Sequence, residues 1–158
     1  MGTRAGGTRR QIGLHRSPTT GSVRLLDQWE VRLAKFHNPK SVALTGKYSL
    51  GVEVPPEARL LFLAGQVGYD AKGRLAPGID KQCELTWKNI GNILKSAGMG
   101  YGNIVRATGF ITDTRFIAPY REARAKFLKE PFPAATLIVV SGLADPGMFV
   151  EIEIVAAK

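Results

Sequence analysis

The distribution of hydrophobic and polar residues predicts a chain in which strands and helices alternate. A short apolar run at Arg59–Ala64 has the length of a buried strand. Two weaker alternating patterns, at Trp29–Phe36 and Val42–Val54, predict strands before it. From Ile79 to Ala97 the apolar residues recur at helical spacing, and Gly98 follows as a C-terminal cap. The first part of the chain is therefore predicted to form strands followed by one long helix.

The second part of the chain continues with a strand, a helix and two further strands. Ile104–Ile111 has strand character, and Asp113 can cap the helix that follows. That helix carries an apolar stripe at helical spacing, formed by Ile117, Tyr120, Ala123 and Phe127. Two prolines end it, and strands are predicted at 135–140 and 148–156, the last with alternating apolar and acidic residues.

This pattern predicts that one sheet face has no cover within a single chain. Two helices are enough to cover one face of the sheet, yet residues 137–140 present apolar side chains to both faces. The available cover is a second copy of the same chain, so we expect an obligate homo-oligomer with its sheets packed inward.

The basic residues concentrate at the N-terminus. The chain has 158 residues and a formal net charge of +9. Residues 1–26 contain five arginines and no acidic residue, so more than half of the excess lies there. Glycine and threonine are frequent in residues 1–21, and no periodic apolar pattern occurs. We predict a disordered basic leader at 1–27 and a single domain at 28–158, a nucleic-acid arm or a transit peptide being the alternatives for the leader.

The single cysteine, Cys83, excludes an internal disulfide and favours a cytoplasmic location. Its register in the first helix places it among apolar neighbours, which predicts a buried core residue rather than a nucleophile. No apolar run approaches the ~20 residues that span a bilayer, so membrane binding is not expected.

Few residues offer catalytic chemistry. The two histidines are His15 in the leader and His37 in a predicted loop, which leaves little material for a Ser-His-Asp triad or a metal site. Glu151 and Glu153 are neighbours on one face of the last strand, where a raised pKa could create a general acid or base. A solvated strand face is the alternative for both.

Several motifs, in order and with similar gaps, resemble the Rid family of reactive-intermediate deaminases, also called YjgF-like or endoribonuclease L-PSP proteins. The resemblance spans Phe36 to Ala157. The matching segments are Ala64-Gly65-Gln66-Val67, Gln82, Trp87-x-Asn89-Ile90, Leu94 to Gly98, Thr112-Asp113, Phe132-Pro133-Ala134 and Val150-Glu151-Ile152-Glu153.

The resemblance implies an α/β fold of the chorismate-mutase-like type, with two helices on one face of a roughly six-stranded mixed sheet. It also implies a homotrimer with a ligand cleft between subunits. The best-known members hydrolyse small enamines or imines to 2-keto acids and ammonia. They use no cofactor or metal, so the expected partner is a small molecule.

The same resemblance assigns the site residues. It implies that Glu151 positions the attacking water and is the catalytic residue. The cleft-lining positions that it implies are Tyr48, Gly65, Gln66, Tyr120 and Ala135. Deaminating members carry a carboxylate-binding arginine where this chain has Ala135, which places the chain in an arginine-lacking branch.

Three readings of the function follow from this departure. The leading hypothesis is hydrolysis of an enamine or imine whose carboxylate is absent or held elsewhere, with Arg115, Arg121 or Arg124 as candidate replacements for the arginine. The second is a homotrimer that binds a small metabolite without turnover. The third, RNA binding or endoribonuclease activity, has less support because no interleaved basic and aromatic strip is visible after the leader.

Overall fold

The computed structural model describes residues 34–158. The predicted leader at 1–27 and the first residues of the weak strand pattern, 29–33, lie outside this range. Two short 3-10 turns, Tyr101–Asn103 and Thr114–Phe116, precede the fourth strand and the second helix. The elements are β1 (Lys35–His37), β2 (Gly51–Glu53), β3 (Leu60–Gln66), α1 (Gly78–Ser96), β4 (Ile104–Ile111), α2 (Ile117–Phe127), β5 (Ala134–Val139) and β6 (Val150–Ala157).

The strands form a mixed sheet, which confirms the predicted α/β class. Its order is β3-β6-β4-β5, and β4 and β5 are parallel while the other neighbours are antiparallel. β1 and β2 pair separately as a two-stranded ladder. One bridge, between Ser49 and Ala134, joins the loop before β2 to β5, and the Ser49 N–H donates to the Pro133 carbonyl at 2.9 Å. The six strands of residues 34–158 are thus divided into a four-stranded and a two-stranded sheet.

Both helices pack on one face of the four-stranded sheet, as the apolar pattern predicts. In β6, Ile152 and Ile154 are buried in the same apolar cluster as Trp87 and Ile90 of α1. The acidic residues of β6 point to the other side. This alternation divides the sheet into a helix-covered face and an opposite face.

The helix boundaries follow from the predicted capping residues. Gly98 has a φ of 69°, and its N–H donates to the Lys95 carbonyl at 3.0 Å, which ends α1. Asp113 accepts a bond of 2.8 Å from the Arg115 N–H and caps the 3-10 turn from which α2 continues. Among residues 34–158, neither helix combines the length and the apolar character needed to cross a bilayer.

The sheet face opposite the helices exposes large apolar side chains. Phe62 is 71% exposed, and Leu60 and Ile138 are also exposed on this face. We call these three residues the open sheet face. Within residues 34–158 this face is left exposed, as predicted. An assembly that buried it would remove apolar area from water.

The segment around Lys47-Tyr48-Ser49-Leu50, which the sequence predicts as part of a strand, is a loop. Its backbone groups bond to loop and side-chain partners instead of a strand ladder: the Leu50 N–H donates to Asn38 Oδ1 at 2.8 Å. The Ser49 hydroxyl donates to the Phe132 carbonyl at 2.7 Å. These bonds fix the loop beside the start of β5.

Candidate active site

A cavity of about 420 Å³ lies between α2, the start of β5 and the loop at 45–48. This volume is within the range that small organic ligands occupy. Its walls are mainly apolar and aromatic, and its charged residues are mostly basic. It contains three of the predicted cleft residues: Tyr48, Tyr120 and Ala135. The lining residues are Thr45, Gly46, Lys47, Tyr48, Tyr120, Arg121, Glu122, Arg124, Ala125, Leu128, Phe132, Ala135, Thr136 and Leu137.

Tyr120 forms the inner wall of the cavity and packs against β4. Only 1% of its surface is exposed, and its ring lies against Gly109: a Cβ at that position would come 2.6 Å from Tyr120 Cζ. Its hydroxyl has no hydrogen-bond partner among the described residues. Burial raises the pKa of Tyr120 to about 12, although the Arg124 guanidinium opposes this shift. The phenol is therefore neutral at physiological pH.

Tyr48 is held at the cavity by its loop. Its hydroxyl lies 3.1 Å from Thr45 Oγ1, and the side chain is half-buried. One guanidinium N–H of Arg124 donates to the Lys47 carbonyl at 3.0 Å, which ties the loop to α2. The sequence predicts the tyrosine but does not indicate that Lys47 also lines the cavity.

The three arginines considered as replacements for the missing one differ in whether they reach the cavity. Arg121 and Arg124 line the cavity. Arg115 does not; its guanidinium bonds to the Asp113 carboxylate, with the shortest contact at 2.7 Å. These bonds hold the pKa of Asp113 at about 2. Arg115 is thus already paired, and α2 offers two arginines to a ligand.

Glu151 and Gly65 form a second cluster. Glu151 is half-buried in β6, and its side chain lies over Gly65 of β3. A Cβ on residue 65 would overlap with the carboxylate and come 2.7 Å from Glu151 Cδ. The register between β3 and β6 shifts between Leu63 and Gln66, so this contact lies at a bulge. Glycine is therefore required here for space.

Gln66 lies beside this cluster, but its amide is not bonded to Glu151. Its side-chain N–H groups donate to the carbonyls of Ala64 and Gly65, at 3.1 and 3.3 Å. Gln66 is paired with Ile152, one residue along β6 from Glu151, and no bond joins the side chains of Gln66 and Glu151.

The predicted site consists of two half-sites on opposite faces of the sheet. Ala135 is paired with the buried Ala107 on the helix-covered face, where the cavity lies. Glu151 is paired with Phe110 on the opposite face. No residue of the Glu151 cluster lines the cavity. Residues 34–158 bring Tyr48, Tyr120 and Ala135 together, and separately Gly65 and Glu151. Gln66 bonds only to carbonyls of its own strand, and the two sets are not joined.

The remaining candidate residues are accounted for by local structure. His37 belongs to β1 rather than to a loop, because it pairs with Gly51 of β2; it is exposed, and its Nε2 lies 2.9 Å from Glu53 Oε2. Cys83 is fully buried, and burial raises the pKa of its thiol to about 12. Glu153 is exposed. Between residues 34 and 158, no three His, Cys, Asp or Glu side chains are grouped so that they could hold a metal ion.

The fold and the cavity define a small mixed α/β domain with room for a small organic molecule. The sequence model of the family "Endoribonuclease L-PSP" matches residues 39–158. The chain belongs to this family, whose members include the Rid proteins.

Individual relatives agree with this assignment. A 2-iminobutanoate/2-iminopropanoate deaminase from Bos taurus is 34% identical over 121 residues, which are 75% of this chain and 85% of the relative. A RutC family protein from Aquifex aeolicus is 33% identical over 128 residues, 80% of this chain and all of that protein. The crystal structure of YyfB from Yersinia pestis, a Rid family protein of unknown function, superimposes with a TM-score of 0.72 at 26% identity, covering 80% of this chain and 99% of that one.

Proposed function

We propose that the protein is a cofactor-free hydrolase that deaminates a small enamine or imine. The observation that carries this proposal is the Glu151 carboxylate, half-buried and held against Gly65 on a strand. The deaminase name of the 34% identical bovine relative supports it. A cytoplasmic location is part of the proposal, because Cys83 is the only cysteine and no internal disulfide can form.

The reaction requires positioning more than activation. An imine carbon is electrophilic, so a water molecule held by the Glu151 carboxylate can add to it while the carboxylate accepts a proton. That proton passes to the imine nitrogen, which gives the carbinolamine. The hydroxyl proton of the carbinolamine then moves to the amine nitrogen, the C–N bond breaks, and ammonia leaves as the carbonyl forms. One water is consumed for each ammonia released. No redox step is involved.

We further propose that the working cleft is completed by a neighbouring subunit in a homotrimer. Two features support an assembly: the half-sites lie on opposite sheet faces, and the open sheet face exposes Phe62 and Ile138. In such an assembly, Glu151 of one protomer and the cavity of another can face the same ligand. The number of subunits is taken from the family resemblance.

A non-catalytic role in metabolite binding is the second candidate function. Ala135 favours it, because the deaminating members that this sequence resembles carry an arginine at that position. Binding without turnover would leave Glu151 free to serve as a hydrogen-bond acceptor for the ligand.

Ammonia release from freshly generated 2-iminobutanoate distinguishes the two functions. We expect turnover by the wild-type protein and a loss of about 100-fold in Glu151→Gln, the scale on which positioned general bases act. Glu153→Gln is the matched control, since it removes a charge two residues along the same strand from an exposed position. Turnover that survives Glu151→Gln would reject the mechanism. Ligand binding without ammonia release from a panel of imines would support the metabolite-binding role.

A further inference from the structure

We propose that Arg124 binds a carboxylate group of the ligand in the cavity and so replaces the arginine that is absent at position 135. The inference rests on the proposed function and narrows its substrate to small 2-imino acids. The arginine reaches the cavity from α2 rather than from β5.

The guanidinium of Arg124 is already fixed at the cavity wall. Its Cζ lies 6.0 Å from the centre of the Tyr120 ring, and one N–H donates to the Lys47 carbonyl at 3.0 Å. The side chain is half-buried. Because arginine has five N–H donors, this bond leaves the others for a ligand. A guanidinium held at two points loses less conformational entropy when an anion binds.

Arg124 has no acidic partner among the described residues, whose ion pairs all involve other side chains. Arg115 shows the contrasting case, because Asp113 occupies its guanidinium. A charge next to apolar walls interacts more strongly with an anion than a charge in bulk water does. A carboxylate with two oxygens matches the parallel N–H groups of arginine.

Two features select Arg124 over its neighbour Arg121 and favour an anionic ligand. Arg121 also lines the cavity, but its side chain is exposed and forms no hydrogen bond with the described residues, whereas the Arg124 guanidinium is bonded to the Lys47 carbonyl. The lining contains Lys47, Arg121 and Arg124 against one acidic residue, Glu122. Ala135 on β5 has only a methyl group, so the space that an arginine side chain would fill there remains open to the ligand.

A purely structural role for Arg124 makes a different prediction. If the bond to Lys47 only holds the loop at 45–48, its loss should lower the affinity for charged and uncharged ligands equally. The test therefore compares 2-oxobutanoate, the stable product of 2-iminobutanoate hydrolysis, with 2-oxobutanamide, its uncharged analogue.

Isothermal titration calorimetry on the full-length protein measures both affinities. We expect wild-type protein to bind the acid at least tenfold more tightly than the amide, a comparison that requires no variant. Arg124→Met keeps the apolar stem of the side chain; it should weaken acid binding at least tenfold and amide binding less than twofold. Lys126→Met is the matched control, because it removes a positive charge from an exposed position of the same helix outside the cavity; it should change acid binding less than threefold.

Three results would overturn the inference: equal wild-type affinity for acid and amide, no measurable acid binding, or equal losses for both ligands in Arg124→Met. If Arg124→Met does not fold, the same two affinities are measured for Arg124→Gln and compared with those of the wild-type protein. Adding Ala135→Arg to Arg124→Met places a guanidinium on the other wall of the same cavity and should restore acid binding.

The deamination assay separates this inference from the proposed function. Imine turnover that Arg124→Met leaves unchanged rejects the role of Arg124 and keeps the deaminase. If the protein shows no turnover but binds the acid in a way that depends on Arg124, the role of Arg124 stands and the deaminase function is rejected.

Discussion

Replacing Gly65 with alanine should displace the Glu151 carboxylate while leaving its charge unchanged. The new Cβ would stand 2.7 Å from Glu151 Cδ and 3.0 Å from Cγ, whereas ordinary van der Waals contact begins at 3.4 Å. The carboxyl carbon must therefore move by about 0.7 Å, and Oε1, which the new Cβ would overlap, must move further. The φ of Gly65 is not in the left-handed region, so alanine meets no backbone strain there.

The size of this shift sets the expected effects on catalysis and stability. A misplacement of about 1 Å in a positioned catalytic group can cost roughly 100-fold in rate. We therefore expect Gly65→Ala to lower kcat for imine hydrolysis by 10- to 100-fold. The clashing atoms belong to a half-buried, flexible side chain that can rotate away. The free energy of unfolding should thus fall by only about 1 kcal/mol, at the low end of overpacking effects.

Ammonia release measures kcat, and urea denaturation measures stability on the same preparation. Gly142→Ala is the matched control, because a Cβ at position 142 meets nothing within 4 Å and the residue has no positive φ. A kcat within twofold of wild type in Gly65→Ala would refute the argument, since the carboxylate would then not act from the position it holds over Gly65.

Three further predictions concern buried and charged groups. Gly109→Ala should lower the free energy of unfolding by at least about 2 kcal/mol in urea denaturation, because the new Cβ would come 2.6 Å from Cζ of the buried Tyr120 ring; a loss under 0.5 kcal/mol contradicts this. Cys83, fully buried and with its pKa raised to about 12, should resist a thiol reagent at pH 8 in the native protein and react fully in guanidinium chloride. The pKa of Asp113, held at about 2 by Arg115, should return toward its ordinary 3.8 in Arg115→Ala, as measured by NMR titration. Because the pKa of Asp113 is lower in the folded than in the unfolded protein, the stabilisation from this pair is present above pH 3.8 and is lost as the pH falls through 2.

The elements that bury one regular face could be predicted from the sequence. β4 spans Ile104–Ile111 in the structure as in the prediction, and β6 buries alternate residues as its pattern requires. α1 begins one residue before Ile79 and ends near Gly98. The segment at 47–50 could not be predicted, because long-range bonds to the start of β5 hold it and no local pattern encodes them.

The site was predictable only in parts. The resemblance indicated Tyr48, Tyr120 and Ala135, and the structure places all three at one cavity. Arg124 remained one of three equivalent arginines on the sequence, because spacing does not show that Asp113 occupies one of the others. The separation of the half-sites was equally hidden, since it depends on which sheet face each strand position adopts.

The placement of the half-sites on opposite faces has a genetic consequence. Suppose that each cleft takes its carboxylate from one protomer and its guanidinium from another. A chain carrying Glu151→Gln then still contributes a functional cavity with Arg124, and a chain carrying Arg124→Met still contributes the Glu151 carboxylate. Co-refolding the two impaired variants should then regenerate some wild-type clefts, so two defective alleles would complement each other within one oligomer. A cleft built from a single chain would show no such recovery.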